Sequence, residues 1–173
     1  MKRRLLLLRH AKSSWDEPGL PDRERPLAPR GRRAAAALGA RLARRRVRID
    51  RVLCSPSRRT RETLALLALE PAPPAAFPEA LYLASARTLL GRLRRIPPRV
   101  RCVLVIGHDP GIDQLARSLA ERGRPRALRR LAQGFKTGAL AELRVPDDGW
   151  RALRPGSAYL ERFTRPKDLA SSR

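Results

Sequence analysis

Residues 4–8, Arg-Leu-Leu-Leu-Leu, make a short continuous apolar run that stops at Arg9-His10. A run this short, with no polar alternation, reads as a strand buried on both faces of an α/β sheet, although periodicity alone does not separate it from a piece of helix. Prolines at 18, 21, 26 and 29 and glycine at 19 mark residues 16–29 as a loop. From Arg30 to Arg46 the chain is rich in Ala, Leu and Arg and free of proline, which predicts a helix. Ile49 to Cys54 reads as a second strand. Ser55-Pro56 then starts a helix, with proline tolerated in its first turn, running to about Leu69.

Leu81 to Leu83 is a short strand or turn, and Ala84 to Arg95 a helix that Pro97-Pro98 ends. Arg101 to Ile106 is β-branched and apolar, the clearest strand in the chain; it runs into Gly107-His108, and Ile112 to Arg122 continues as helix. After an arginine-rich connection, Ala139–Val145 and Trp150–Leu153 read as two strands joined by a hairpin turn at Pro146-Asp147-Asp148-Gly149. Residues 164–173 read as a docked or frayed tail. Strand and helix alternate throughout, which predicts an α/β fold: a three-layer αβα sandwich with helices on both faces of a largely parallel central sheet. A length of 173 residues fits one domain over 1–173, with no internal repeat.

Composition changes this picture little. Aromatic residues are only 4% of the chain, so Leu, Ala and Val carry the packing. Four leucines before Arg9 are too few for a signal peptide or a membrane span. Cys54 and Cys102 sit in or beside apolar runs, as buried reduced thiols of a cytoplasmic protein would. Two cysteines and two histidines without short mutual spacing argue against a zinc site. The net charge of +23 raises nucleic-acid binding as a possibility, but only Lys2, Lys12, Lys136 and Lys167 among the 39 basic residues are lysines. The excess is arginine spread through every segment, with abundant Ala, Leu and Pro. That favours a solvated, composition-driven surface over a polyanion-binding face, and either would steer anionic substrates.

The chemistry gathers at strand ends. In open α/β sheets ligands bind beyond the carboxyl ends of the strands. The first strand delivers Arg9-His10, the second leads to Ser55 and Arg58-Arg59, and the third delivers His108. Both histidines of the protein therefore fall at one edge. A neutral imidazole is a nucleophile near pH 7, and nearby arginines lower its pKa and keep it unprotonated. Guanidinium forks match phosphate oxygens, so phosphoryl transfer can proceed on positioning and electrostatics without a metal. No Walker-type glycine loop and no Asp/Glu cluster suited to magnesium is present. Neither a cofactor nor a metal is expected.

Leu8-Arg9-His10-Ala11-Lys12 resembles the signature of the histidine phosphatase superfamily, the phosphoglycerate-mutase-like enzymes. The likeness continues at Arg25-Pro26-Leu27 with Arg30-Gly31 and at Ser55-Pro56-Ser57-Arg58-Arg59-Thr60-Arg61-Glu62-Thr63. It resumes at Gly107-His108-Asp109-Pro110, Lys136-Thr137-Gly138-Ala139 and Arg165-Pro166-Lys167-Asp168-Leu169. The short chain and its Arg-His-Ala-Lys-Ser-Ser-Trp segment are similar to the SixA-type phosphohistidine phosphatases. The resemblance implies that His10 becomes phosphorylated, that Arg9 and Arg59 bind the phosphoryl oxygens, and that His108 bonds the same group. It prefers Arg59 over a solvated Arg58, and it gives Ser55 the role of a helix cap. Thr63 is expected to pack or bond locally, and the backbone around Gly138 to close the far side of the pocket. Lys12 and Ser14 are expected near the substrate, or else at the surface.

A carboxylic acid is the weakest part of the match. Glu79 is one candidate, with a solvated residue as the alternative. A missing acid favours N-phosphorylated protein, because imidazole leaves phosphorus far more readily than an alkoxide. The expected partner is thus a phosphohistidine protein, with a small phosphorylated substrate as the alternative. Nucleic acid is disfavoured because stacking aromatics are few. No membrane partner is expected, and the chain is expected to be a monomer.

Overall fold

The computed structural model describes residues 2–170. Its seven-stranded sheet comprises β1 (Arg4–Arg9), β2 (Arg51–Cys54), β3 (Ala75–Ala76), β4 (Cys102–Gly107), β5 (Arg122–Gly123), β6 (Leu140–Arg144) and β7 (Tyr159–Thr164). The strand order is β3-β2-β4-β1-β6-β7-β5. β1 and β2 both run parallel to β4, whereas β6 is antiparallel to its neighbours β1 and β7. The sheet is therefore largely parallel, as the alternation of elements predicts.

The four leucines of β1 are completely buried, and they alternate between two cores. Leu5 and Leu7 pack with α3 (Ala86–Leu93), α4 (Gly111–Leu119) and α5 (Pro125–Ala132). Leu6 and Leu8 pack with Leu38 and Leu42 of α1 (Pro29–Arg44) and Leu67 of α2 (Arg58–Leu67). Helices on both faces explain why the run has no polar alternation. Truncating any of these leucines to Ala costs about 2–5 kcal/mol.

Three features depart from the sequence reading. The segment at Trp150–Ala152 is a 3-10 turn, not a strand. Trp150 is pulled into the core, its indole N–H donating to the Val100 carbonyl at 2.8 Å, and the true partner of β6 begins at Tyr159. The arginine-rich connection contains α5, which buries Ala127 and Leu131 and packs the partly buried Leu128 against the core. Finally, α2 starts at Arg58, because Ser55 still belongs to the strand path: its N–H donates to the Ile106 carbonyl at 2.9 Å. The tail forms a short helix, α6 (Pro166–Ala170), and residues 171–173 lie outside the described residues.

One glycine fixes how α1 meets the loop that follows β1. A Cβ on Gly31 would stand 2.1 Å from the Lys12 carbonyl oxygen. Only glycine allows the first turn of α1 to rest on the backbone that follows His10.

Candidate active site

β1 and β4 are paired in register, Arg9 opposite Gly107, so the residues that follow them emerge side by side. His10 and His108 consequently meet with ring centroids 5.3 Å apart. Both are almost fully buried, at 8% and 3% exposure. His10 Nδ1 lies 2.8 Å from the Ala11 carbonyl oxygen. A carbonyl only accepts, so Nδ1 carries the hydrogen and Nε2 keeps its lone pair. His108 is held from the other side. Arg59 donates to its Nδ1 at 3.3 Å, which leaves the hydrogen on Nε2, 2.7 Å from Ser55 Oγ. Ser55 is thus the partner of an imidazole. The helix it was expected to cap has Ser57 at its N-cap instead.

Burial lowers the pKa of His10 to about 4, with Arg59, Arg9 and Arg25 adding to the effect. Burial likewise lowers His108 to about 3, assisted by His10 and Arg59. Arginines help to keep the imidazole neutral, as expected. The larger cause is loss of water around the ring.

α2 presents Arg59, 3% exposed, toward the histidines. Its position is locked to the backbone after His10 through Thr63, which donates to the Arg59 carbonyl at 2.6 Å and accepts from the Ala11 N–H at 3.1 Å. Arg59 also donates to Asp22, through the carboxylate at 2.9 Å and the backbone carbonyl at 2.5 Å. Asp22 is a hub. Its carboxylate further accepts from Arg25 at 2.9 Å and from the Tyr82 hydroxyl at 2.6 Å. The Tyr82 ring meets the His108 ring edge-on, centroids 5.6 Å apart. Hydrogen bonds from Tyr82 and Arg59 outweigh the opposing effect of burial and hold Asp22 down to about 2. Arg9 is tied to Asp109 at 2.6 Å and to the Phe135 carbonyl at 2.8 Å, yet its buried Nε has no partner among the described residues.

The remaining expected residues lie further out. Ser14 accepts from the Asp16 N–H through its hydroxyl and from Arg25 Nε through its carbonyl, so it braces the loop and Arg25. Lys12 is half-buried, with its carbonyl accepting from the Ala28 N–H. Glu79 forms a two-pronged pair with Arg23, 2.7 Å on each oxygen, and is 71% exposed. Arg23 in turn lies over the Tyr82 ring, which separates Glu79 from His108 by two residues. Arg58 faces outward and pairs with Glu62. Gly138, at φ +75°, donates its N–H to the Arg9 and His10 carbonyls, closing the turn behind His10. Asp22, Arg25 and Tyr82 had no assigned role. Arg25 and Ser55 were visible within matching motifs, but Asp22 lies in a proline-rich loop that carries no periodic signal.

Residues 5–82 match the model of the histidine phosphatase superfamily (branch 1). The chain is 38% identical over 162 residues to the uncharacterized protein Rv1276c of Mycobacterium tuberculosis, covering 92% of this chain and all of that one. Its fold superposes on a candidate phosphohistidine phosphatase, SixA, of Nakamurella multipartitia, with TM-score 0.82 and 30% identity over 96% of this chain and 97% of the other. A SixA counterpart from Agrobacterium tumefaciens gives TM-score 0.81 and 26% identity over 96% and 99%.

The chain belongs to the histidine phosphatase superfamily. As a member, it is a phosphatase with the phosphoglycerate-mutase-like fold. Among the described residues no helix is long and apolar enough to cross a membrane, and no group of three His, Cys, Asp or Glu is placed to hold a metal ion.

Proposed function

We propose that the protein hydrolyses protein phosphohistidine without a metal, through a covalent phosphohistidine on His10. The observation that carries this reading is the bond from His10 Nδ1–H to the Ala11 carbonyl, which leaves a lone pair on Nε2 inside a group of arginines. Nε2 attacks phosphorus, the N–P bond to the substrate imidazole breaks, and that imidazole departs with the bonding electron pair and takes up a proton. Water then attacks the phosphoryl group on His10, releasing inorganic phosphate and restoring the free imidazole. Arg9 and Arg59 neutralise the phosphoryl oxygens, and the unpartnered Nε–H of Arg9 gains an acceptor there. His108 steadies the same group as charge redistributes.

The states of Glu79 and Asp22 favour this substrate class. Arg23 holds Glu79 below the usual carboxylate range, and Tyr82 and Arg59 hold Asp22 down to about 2. Neither is a protonated acid at neutral pH in the free enzyme. A phosphoramidate nitrogen needs far less acid assistance than an ester oxygen. The buried thiols of Cys54 and Cys102, raised by burial to about 12 and about 11, suit a reducing cytoplasm.

The test is incubation with a phosphoryl donor, followed by mapping of acid-labile phosphate. Label is expected on His10 and absent in His10→Ala. Rates on a phosphohistidine peptide should exceed those on p-nitrophenyl phosphate. A clear preference for the ester would reassign the enzyme to small phosphomonoesters.

A further inference from the structure

At the β7–β5 edge of the sheet, away from the histidines, lies an open groove of about 540 Å³. Arg41 of α1, Arg124, Arg126 and Arg130 at α5, and Arg162 of β7 line it, against the carboxylates of Glu161 and Asp168. Among the described residues, the surrounding carboxylates do not balance the guanidiniums of Arg124, Arg126, Arg130 and Arg162. Asp168 is divided between Arg130 and Arg165, at 2.9 and 3.1 Å. Glu161 is divided between Arg124 and Arg144, at 3.4 and 3.6 Å. Glu142 is engaged by both nitrogens of Arg45 and reaches Arg162 only at 3.5 Å. The same pattern occurs at the active site, where the Asp22 carboxylate serves both Arg25 and Arg59.

Cations so crowded repel one another, and a bound anion removes that repulsion. Burial, and then Arg45, lowers the pKa of Arg162; burial, with Arg126, Arg165 and Arg41, lowers that of Arg130. A volume of about 540 Å³ is enough for a small molecule and more than a single ion needs. Phe163 is buried at 1% exposure, so the groove offers no aromatic face on which a base could stack. Recognition here runs through phosphate oxygens alone.

We infer that this groove is a second anion site, which takes a chain of linked phosphates, either inorganic oligophosphate or the phosphate chain of a nucleotide. Arg124, Arg126 and Arg130 at α5 and Arg162 of β7 bring guanidiniums from two elements to one groove larger than a single ion needs, which suits several linked phosphates. The site is independent of the phosphohistidine reading, because no catalytic residue contributes to it.

The experiment is calorimetric titration of the full chain with tripolyphosphate and with ATP, at about 150 mM salt to suppress loose association. It is repeated in His10→Ala/Arg59→Ala, which silences the catalytic pocket. Binding with similar affinity for both ligands, retained in that variant, is the expected result. Arg124 and Arg126 are exposed, so Arg124→Ala/Arg126→Ala should fold normally and weaken binding by about tenfold. The control Arg33→Ala/Arg87→Ala removes the same charge from exposed positions outside the groove and should change affinity less than about twofold. Equal losses in the two double variants would overturn the site in favour of net charge. So would binding confined to ATP, which requires a base subsite, and so would binding confined to a long single-stranded oligonucleotide. Loss of all binding in the pocket-silenced variant would place both ligands at the histidines and equally refute the groove.

Discussion

Arg59 reaches Asp22 through both terminal nitrogens, one on the carboxylate and one on the main-chain carbonyl. A guanidinium expected to receive phosphate therefore already holds an anion of the same protein. Phosphate bound at Arg59 would compete with Asp22 for one charge. Asp22→Asn keeps the hydrogen-bonding shape and removes the rival charge, so vanadate should inhibit at about three- to tenfold lower concentration. An inhibition constant that stays the same or rises would show that Asp22 does not compete.

Arg59 touches His108 and Asp22 at once, and a lysine ammonium has no fork with which to do the same. Arg59→Lys and Arg59→Ala should both lose about a hundredfold or more in kcat while remaining folded. Steady-state kinetics with circular dichroism checks this. Recovery of most activity by lysine would mean that charge alone suffices.

Ser55→Ala leaves the His108 Nε2–H without its acceptor in a fully buried setting. A loss of about 1–3 kcal/mol in stability is expected, with a fall in kcat of about tenfold as the ring loosens. Denaturant titration gives the first quantity and turnover the second. Unchanged stability would indicate that water replaces the hydroxyl.

Acid should destabilise the fold earlier than its carboxylates alone would predict. Both histidines sit below the ordinary value of 6.5, His10 at about 4 and His108 at about 3. Between 6.5 and those values the unfolded chain takes up protons that the folded chain refuses. Stability is thus complete above about pH 7 and declines as pH falls from 6.5 toward 4. Tm measured from pH 8 to 4.5 should show this slope, and His10→Ala should flatten it. An identical slope in that variant would place the proton uptake elsewhere.

Much of this was legible in the chain, for a physical reason. β1, β2 and β4 are buried on both faces, so each appears as an unbroken apolar run, and the polar residues that follow mark the sheet's active edge. Elements at the other edge were obscured. β7 buries Leu160 and Phe163 with Glu161 and Arg162 between them, and a bulge near Glu142 shifts its register, so no period-2 signal survives. α5 was passed over inside an arginine-rich connection, although Ala127, Leu128 and Leu131 mark one inward side at helical spacing. Arg9, His10 and His108 could be grouped because each lies at or just beyond the carboxyl end of a strand, and the family resemblance singled out Arg59 over Arg58. Asp22 could not, since it reaches the cluster only through the path of a proline-rich loop.

The group that aims the His10 ring is a peptide carbonyl, that of Ala11. No exchange of side chain anywhere in the protein can delete it, and only a change in the path of the main chain can move it. The Nδ1–H tautomer is consequently inherited with the fold, and substitutions that reshape the surroundings while keeping the main-chain path leave the His10 ring pointing the same way.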